Sequence, residues 1–131
     1  MSLYIEDIAQ KLDDDSVGTV ATDIFVGWQT EDMPEAVIVV LESTGLSPDR
    51  YLPTARPGFQ IYIRNKSYAA GAAKAQAVRN SLHQTLPGTL VTSGNFFYYI
   101  FALQEPIYIG RDEQERHEWT INFVSQVRIP S

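Results

Sequence analysis

Phe59-Gln60-Ile61-Tyr62-Ile63-Arg64, running through Asn65-Lys66 into Ser67-Tyr68, is the stretch that decides the fold. Phe59, Ile61 and Ile63 share one side of an extended chain and Gln60, Tyr62 and Arg64 the other, because successive strand side chains point to opposite faces. Then the period changes. Tyr68, Gly71, Ala75, Val78, Leu82 and Leu86 recur at steps of three and four, which is one face of a helix. Ser67 has the side chain of an N-cap, and Pro87-Gly88 supplies a stop. A helix over about residues 67–86 would be roughly 30 Å long. The middle of its stripe is small, with Gly71, Ala75 and Ala72, so it can lie close against a sheet.

Upstream, Leu3 to Asp13 reads as a helix. Tyr4, Ile5, Ile8 and Leu12 fall on one face, and Glu6 and Asp7 sit in the first turn, where negative charge suits the helix dipole. Val20, Thr22, Ile24, Val26 and Trp28 alternate with their neighbours and predict a half-buried strand over Val20 to Trp28. The β-branched run Ala36 to Leu41 predicts a well-buried strand. Glu42 to Gly58 contains Gly45, Pro48, Pro53, Pro57 and Gly58, and reads as a long loop of the functional or partner-ordered kind.

Downstream, Phe96 to Leu103 is apolar on both faces, which predicts a central strand or one whose second face meets a partner. Pro106 interrupts, Ile107 to Ile109 is a short strand, and Gly110-Arg111-Asp112-Glu113 opens a polar turn. Trp119, Ile121 and Phe123 alternate across Glu118 to Val124, and Val127 and Ile129 extend the pattern. The expected architecture is one α+β domain over 1–131. Its sheet is mostly antiparallel or mixed, with the N-terminal helix and the long central helix (about 67–86) packed on one face.

Composition narrows the function classes. At 131 residues, 44% hydrophobic and 20% charged, the chain can bury a sizeable core and is not disordered. It has no cysteine. That excludes disulfides, iron–sulfur sites, a thiol nucleophile and cysteine-type zinc sites, and fits a reducing compartment. The acidic start Met1-Ser2-Leu3-Tyr4-Ile5-Glu6-Asp7 lacks the basic residues and apolar run of a secretory signal. The apolar run Ala36 to Leu41 is too short to cross a bilayer. Synthesis in the cytoplasm and no membrane association are expected. Net charge is −6 and the 10 basic residues are scattered, which argues against a nucleic-acid binder.

The chain offers little for catalysis. The histidines are His83, at the polar border of the helix stripe, and His117, within Asp112-Glu113-Gln114-Glu115-Arg116-His117-Glu118. This densest charged cluster is the best place for a metal, since hard cations favour carboxylate oxygens. It lacks the EF-hand register and reads as a solvated turn. Asp13-Asp14-Asp15 likewise reads as a solvated helix end. There is no nucleophile elbow, P-loop or dinucleotide fingerprint. Phe96, Phe97, Tyr98, Tyr99 and Phe101 suggest a base-stacking platform, but no basic residue accompanies them, so a core or protein interface is preferred. No cofactor and no metal are expected.

Four stretches together carry a resemblance. They are Thr22-Asp23-Ile24-Phe25-Val26-Gly27, Leu41-Glu42-Ser43-Thr44-Gly45, Pro57 to Arg64 leading into Lys66-Ser67-Tyr68, and Pro106 to Glu113 followed by Arg116-His117-Glu118. In this order, from about Val20 to Val124, the chain resembles phage and prophage minor capsid proteins of the tail-terminator type. The resemblance implies a small α+β virion protein of the head–tail joint, made in the host bacterial cytoplasm. It would cap the tail tube protein, present a surface to the head connector protein, and assemble with itself, commonly as a six-membered ring. It carries no catalytic residues. Arg50, Tyr51 and Leu52 in the Glu42–Gly58 loop are the candidate subunit interface, because Tyr and Arg are enriched in hot spots. Asp13, Asp14 and Asp15 are candidate channel-facing acids that would keep DNA from sticking. The alternatives are another tail component, such as a tube or completion protein, and a small ligand-binding domain or enzyme using the Asp112–Glu118 cluster.

Overall fold

Residues 4–27, 34–46, 54–83, 89–90 and 96–128 are described by the structure, a computed structural model. The elements in chain order are α1 (Tyr4–Asp14), β1 (Ile24–Val26), β2 (Val37–Leu46), β3 (Thr54–Asn65), α2 (Tyr68–Leu82), β4 (Thr89–Leu90), β5 (Phe96–Ala102), β6 (Ile107–Arg111) and β7 (His117–Arg128). They form one sheet in the order β1-β2-β3-β7-β5-β4, with β6 also on β7. β1 runs parallel to β2 and every other pair is antiparallel, so the sheet is mixed. This is the expected α+β class.

Alternation sets the core. Phe59, Ile61 and Ile63 of β3 and Trp119, Ile121 and Phe123 of β7 lie in register, with Ile38 and Val40 of β2 beside Ile63 and Ile61, and Ile100 of β5 joins the same core. Ile5, Ile8 and Leu12 of α1 and Ala75, Val78 and Leu82 of α2 close over them, so both helices cover the same face. Phe59 and Phe123 stack at 5.0 Å between centroids and 10° between planes. Such pairs contribute about 0.5–1.5 kcal/mol beyond the area they bury. On the opposite face Val37, Val39 and Tyr62 form a second, smaller buried group.

α2 begins as its sequence requires. The Ser67 hydroxyl accepts from the Ala70 N–H at 3.2 Å. Gly71 lies where a Cβ would stand 2.2 Å from Cζ3 of Trp119, so glycine is what allows α2 to seat on β7. The helix ends at Leu82, earlier than residue 86; Gln84 to Gly88 lie outside the described residues. His83 turns extended, and its Nδ1 accepts from the Ala102 N–H of β5 at 3.1 Å. A tertiary hydrogen bond therefore stops the described helix before the Pro-Gly pair is reached.

Two further expectations are corrected. The strand over Val20 to Trp28 shrinks to Ile24–Val26, and Trp28 lies outside the described residues. The Thr19 carbonyl accepts from the N–H groups of Thr22, Asp23 and Ile24, and Ala21 has φ 70°, so this part is a turn. The loop Glu42 to Gly58 is, at both described ends, strand. β2 runs to Leu46 and β3 starts at Thr54, with Leu46 opposite Arg56. The register slips between Ser43 and Leu46, which accommodates Pro57. A bulge is where a strand tolerates proline.

Candidate functional site

The candidate residues fall in three places. Asp13, Asp14 and Asp15 end α1, and all three are engaged locally. Oδ2 of Asp13 accepts from the Val20 N–H at 3.0 Å, and Asp14 accepts from the Gln10 amide at 3.0 Å. Asp15 pairs with Lys11 at 2.8 Å and accepts from the Ser81 hydroxyl at 2.6 Å. Partial burial pushes the Asp15 carboxyl up, but the bonds from Lys11 and Ser81 outweigh it and hold it below the usual value. The triplet thus fastens α1 to the following turn and to α2. Arg50, Tyr51 and Leu52 lie outside the described residues.

The Asp112–Glu118 cluster is a self-satisfied turn. The Arg116 N–H donates to Asp112 Oδ1 at 2.9 Å, the Arg116 side chain donates twice to Oδ2 at 2.8 Å, and the Gln114 N–H donates to Oδ1 at 2.9 Å. These bonds, the backbone one first, keep the Asp112 carboxyl below its usual value. Its lone pairs are occupied, so it is poorly placed to bind a cation. Among the described residues no group of three or more His, Asp or Glu side chains is arranged to hold a metal. On the face away from the helices, Glu118 accepts from the Tyr62 hydroxyl. Burial, and then the Glu118 carboxylate, raise the Tyr62 phenol above its usual value.

The histidines are structural neighbours of aromatic rings. His83 ties α2 to β5 and sits 5.7 Å from Phe101. His117 Nδ1 lies 2.8 Å from the Tyr108 hydroxyl. Tyr68, Tyr108, His117 and Trp119 form a cluster with centroids 5.3–6.2 Å apart. The rings pack on one another and leave no cage. A cleft of about 250 Å³ is an open groove beside Arg79, Ala102, Gln104 and Glu105.

Sequence reasoning found the β6 strand but missed its exposure. Tyr68, Phe101, Leu103, Ile107, Tyr108 and Ile109 are six of the seven exposed large apolar side chains of the described residues. They gather along the β5–β6 side of the sheet. Leu103, Gln104, Glu105 and Pro106 lie opposite only Ile121 and Asn122 of β7, so the chain loops out between β5 and β6. Among the described strands β6 pairs with β7 alone. Strand edges with apolar side chains and open backbone groups are where other chains add.

The described residues thus form an α+β fold with an exposed apolar strand edge. A family model described as "Bacteriophage tail terminator protein" matches residues 11–129. The chain belongs to that family, which makes it a structural component of phage tails. Among solved structures, a chain of "Virion of native gene transfer agent (GTA) particle" shares the fold with a TM-score of 0.71. It is 15% identical, and the match covers 94% of this chain and 92% of that one. No curated protein matches. Among the described residues no helix is long and apolar enough to cross a membrane.

Proposed function

We propose that the protein is the terminator at the head–tail joint. It closes the growing tail tube as a ring of six copies and offers its outer surface to the head connector. It is made in the host bacterial cytoplasm, acts as part of the particle and has no catalytic task. The observation that carries this reading is the family match across residues 11–129. The exposed apolar edge supports it, because a tail component must bury surface against other chains.

The segment joining β2 to β3, with Arg50, Tyr51 and Leu52, is proposed as one subunit contact. The acidic triplet is proposed to face the channel, where negative charge would repel DNA. Because Asp13 and Asp15 also hold the α1 exit together, the informative charge reversal is Asp14→Lys, at an exposed position. DNA delivery unchanged by it would count against the triplet's part.

The test is tube growth. Purified tail tube protein is polymerised with and without this chain, and tube lengths are measured by electron microscopy. Shorter tubes with one capped end are expected. Co-polymerisation along the tube would point instead to a tube component.

A further inference from the structure

We infer that the Arg50-Tyr51-Leu52 segment of one copy docks on a patch of the next copy formed by Phe101, Leu103 and Ile107, head to tail around the ring. This docking rests on the six-copy ring and supplies the second, different patch that a head-to-tail ring needs. Ala102 packs against the core on the helix side of the sheet, so its neighbours Phe101 and Leu103 turn to the other side. Phe101 lies opposite Val124 and Ile107 opposite Thr120, which alternate with Trp119, Ile121 and Phe123 and therefore face away from the helices. Phe101, Leu103 and Ile107 are 38%, 60% and 45% exposed. The Leu103 N–H donates to the Asn122 carbonyl, and the Asn122 side chain accepts from the Gln60 amide at 3.1 Å. Glu105, in the bend between β5 and β6, has a side chain 68% exposed. The patch is thus an apolar floor with an amide pair at one side and a carboxylate at the rim.

The chemistry of the segment matches. Ser47-Pro48-Asp49-Arg50-Tyr51-Leu52-Pro53 joins β2 to β3 and lies outside the described residues. Tyr51 and Leu52 suit the apolar floor, the Tyr51 hydroxyl suits the amide pair, and Arg50 suits Glu105. Tyr and Arg are also the residues that most often anchor interfaces. Glu105 has an exposed ion pair to exchange, 3.3 Å from Arg79 Nε, and that nitrogen makes no hydrogen bond. Exposed pairs of this kind are weakly held. The same copy cannot supply the segment. Thr54 lies opposite Arg128 at one end of β7, whereas Ile107 lies opposite Thr120, eight residues back along that strand. At strand rise this is roughly 26 Å. Tyr51 is three residues from Thr54, which allows at most about 11 Å of chain, too little to bring its ring to Ile107. The occupant therefore comes from another copy. Segment and patch are different surfaces, so the contact is heterologous and repeats until the rotation closes.

The absence of cysteine makes the test direct. The double variant Leu52→Cys with Leu103→Cys is assembled on tail tube ends and treated with a short bis-maleimide. It should give a ladder of linked copies that ends at six. A mixture of the two single variants should stop at two, because each copy then carries one thiol. The control, Leu103→Cys with Lys66→Cys just beyond the other end of β3, should stay unlinked. Arg50→Glu and Glu105→Arg should each weaken assembly about fivefold, and the two together should restore it. A double variant that links only to pairs would mean a reciprocal contact and would overturn the head-to-tail docking. Six-subunit rings of the unmodified chain on tube ends, with no linkage of the double variant above the Lys66→Cys control, would overturn the docking and leave the terminator reading standing. Absence of any six-subunit species would overturn the ring, and the docking with it.

Discussion

Two edges of the sheet, at β1 and at β6, are finished differently. At the β1 end the chain closes its own edge. Thr19 caps three N–H groups, Asp23 Oδ1 accepts from the Thr19 N–H at 2.7 Å, and Asp13 accepts from Val20. At the β6 end the strand is flanked by a looped-out segment, and its apolar side chains stand in solvent. Polar side chains are spent where the fold must end itself, and apolar ones are left where another chain can end it.

The largest effect should come from the floor beneath the open edge. Gly71→Ala puts a methyl group into the Trp119 ring, which supports Tyr68 and Tyr108. Overpacking costs about 3 kcal/mol and the gain in helix propensity returns about 1, so a net loss of roughly 2 kcal/mol is expected in urea unfolding. A neutral result would mean α2 does not seat on β7 as described. At the closed edge, Asp23→Ala removes the acceptor for Thr19 and should cost about 1 kcal/mol, with faster amide exchange over residues 19–24.

Alkaline titration probes the second buried group, on the face away from the helices. The Tyr62 phenol is raised above its unfolded value by burial and by Glu118, so the folded state holds its proton longer. Its contribution is complete below about pH 10 and is lost as pH rises beyond that. Tyr62→Phe should flatten this alkaline decline in melting temperature. The smallest effect is expected at the open edge. Ile107→Ser should change monomer stability by less than about 0.5 kcal/mol. A large loss there would break the contrast, because it would make β6 part of the core.

Much of this was legible in the residues. The change of period at Ser67 marked the passage from strand to helix, and the alternation at Trp119, Ile121 and Phe123 gave the strand at the centre of the sheet. The Val20–Trp28 alternation misled, because a turn built on Thr19 and Asp23 can carry the same pattern of apolar residues as a strand. The Gly and Pro residues of 42–58 signalled a loop, yet the register slip beside Ser43 lets Pro57 sit within a strand pair. The end of α2 depends on a bond from β5, which no local pattern contains. For the site, Asp13 to Asp15 looked like free charge, but hydrogen bonds from Lys11, Ser81 and Val20 give them structural work. The exposure of Ile107 to Ile109 follows from the order of strands around β7, and strand order is not written in any short stretch.

The most direct measurement is native mass spectrometry of the chain with and without tail tube ends, over a range of concentrations. A terminator should give a closed six-subunit species on the tube ends. A chain that stays monomeric or dimeric at every concentration, with tube ends present, would contradict the proposed role.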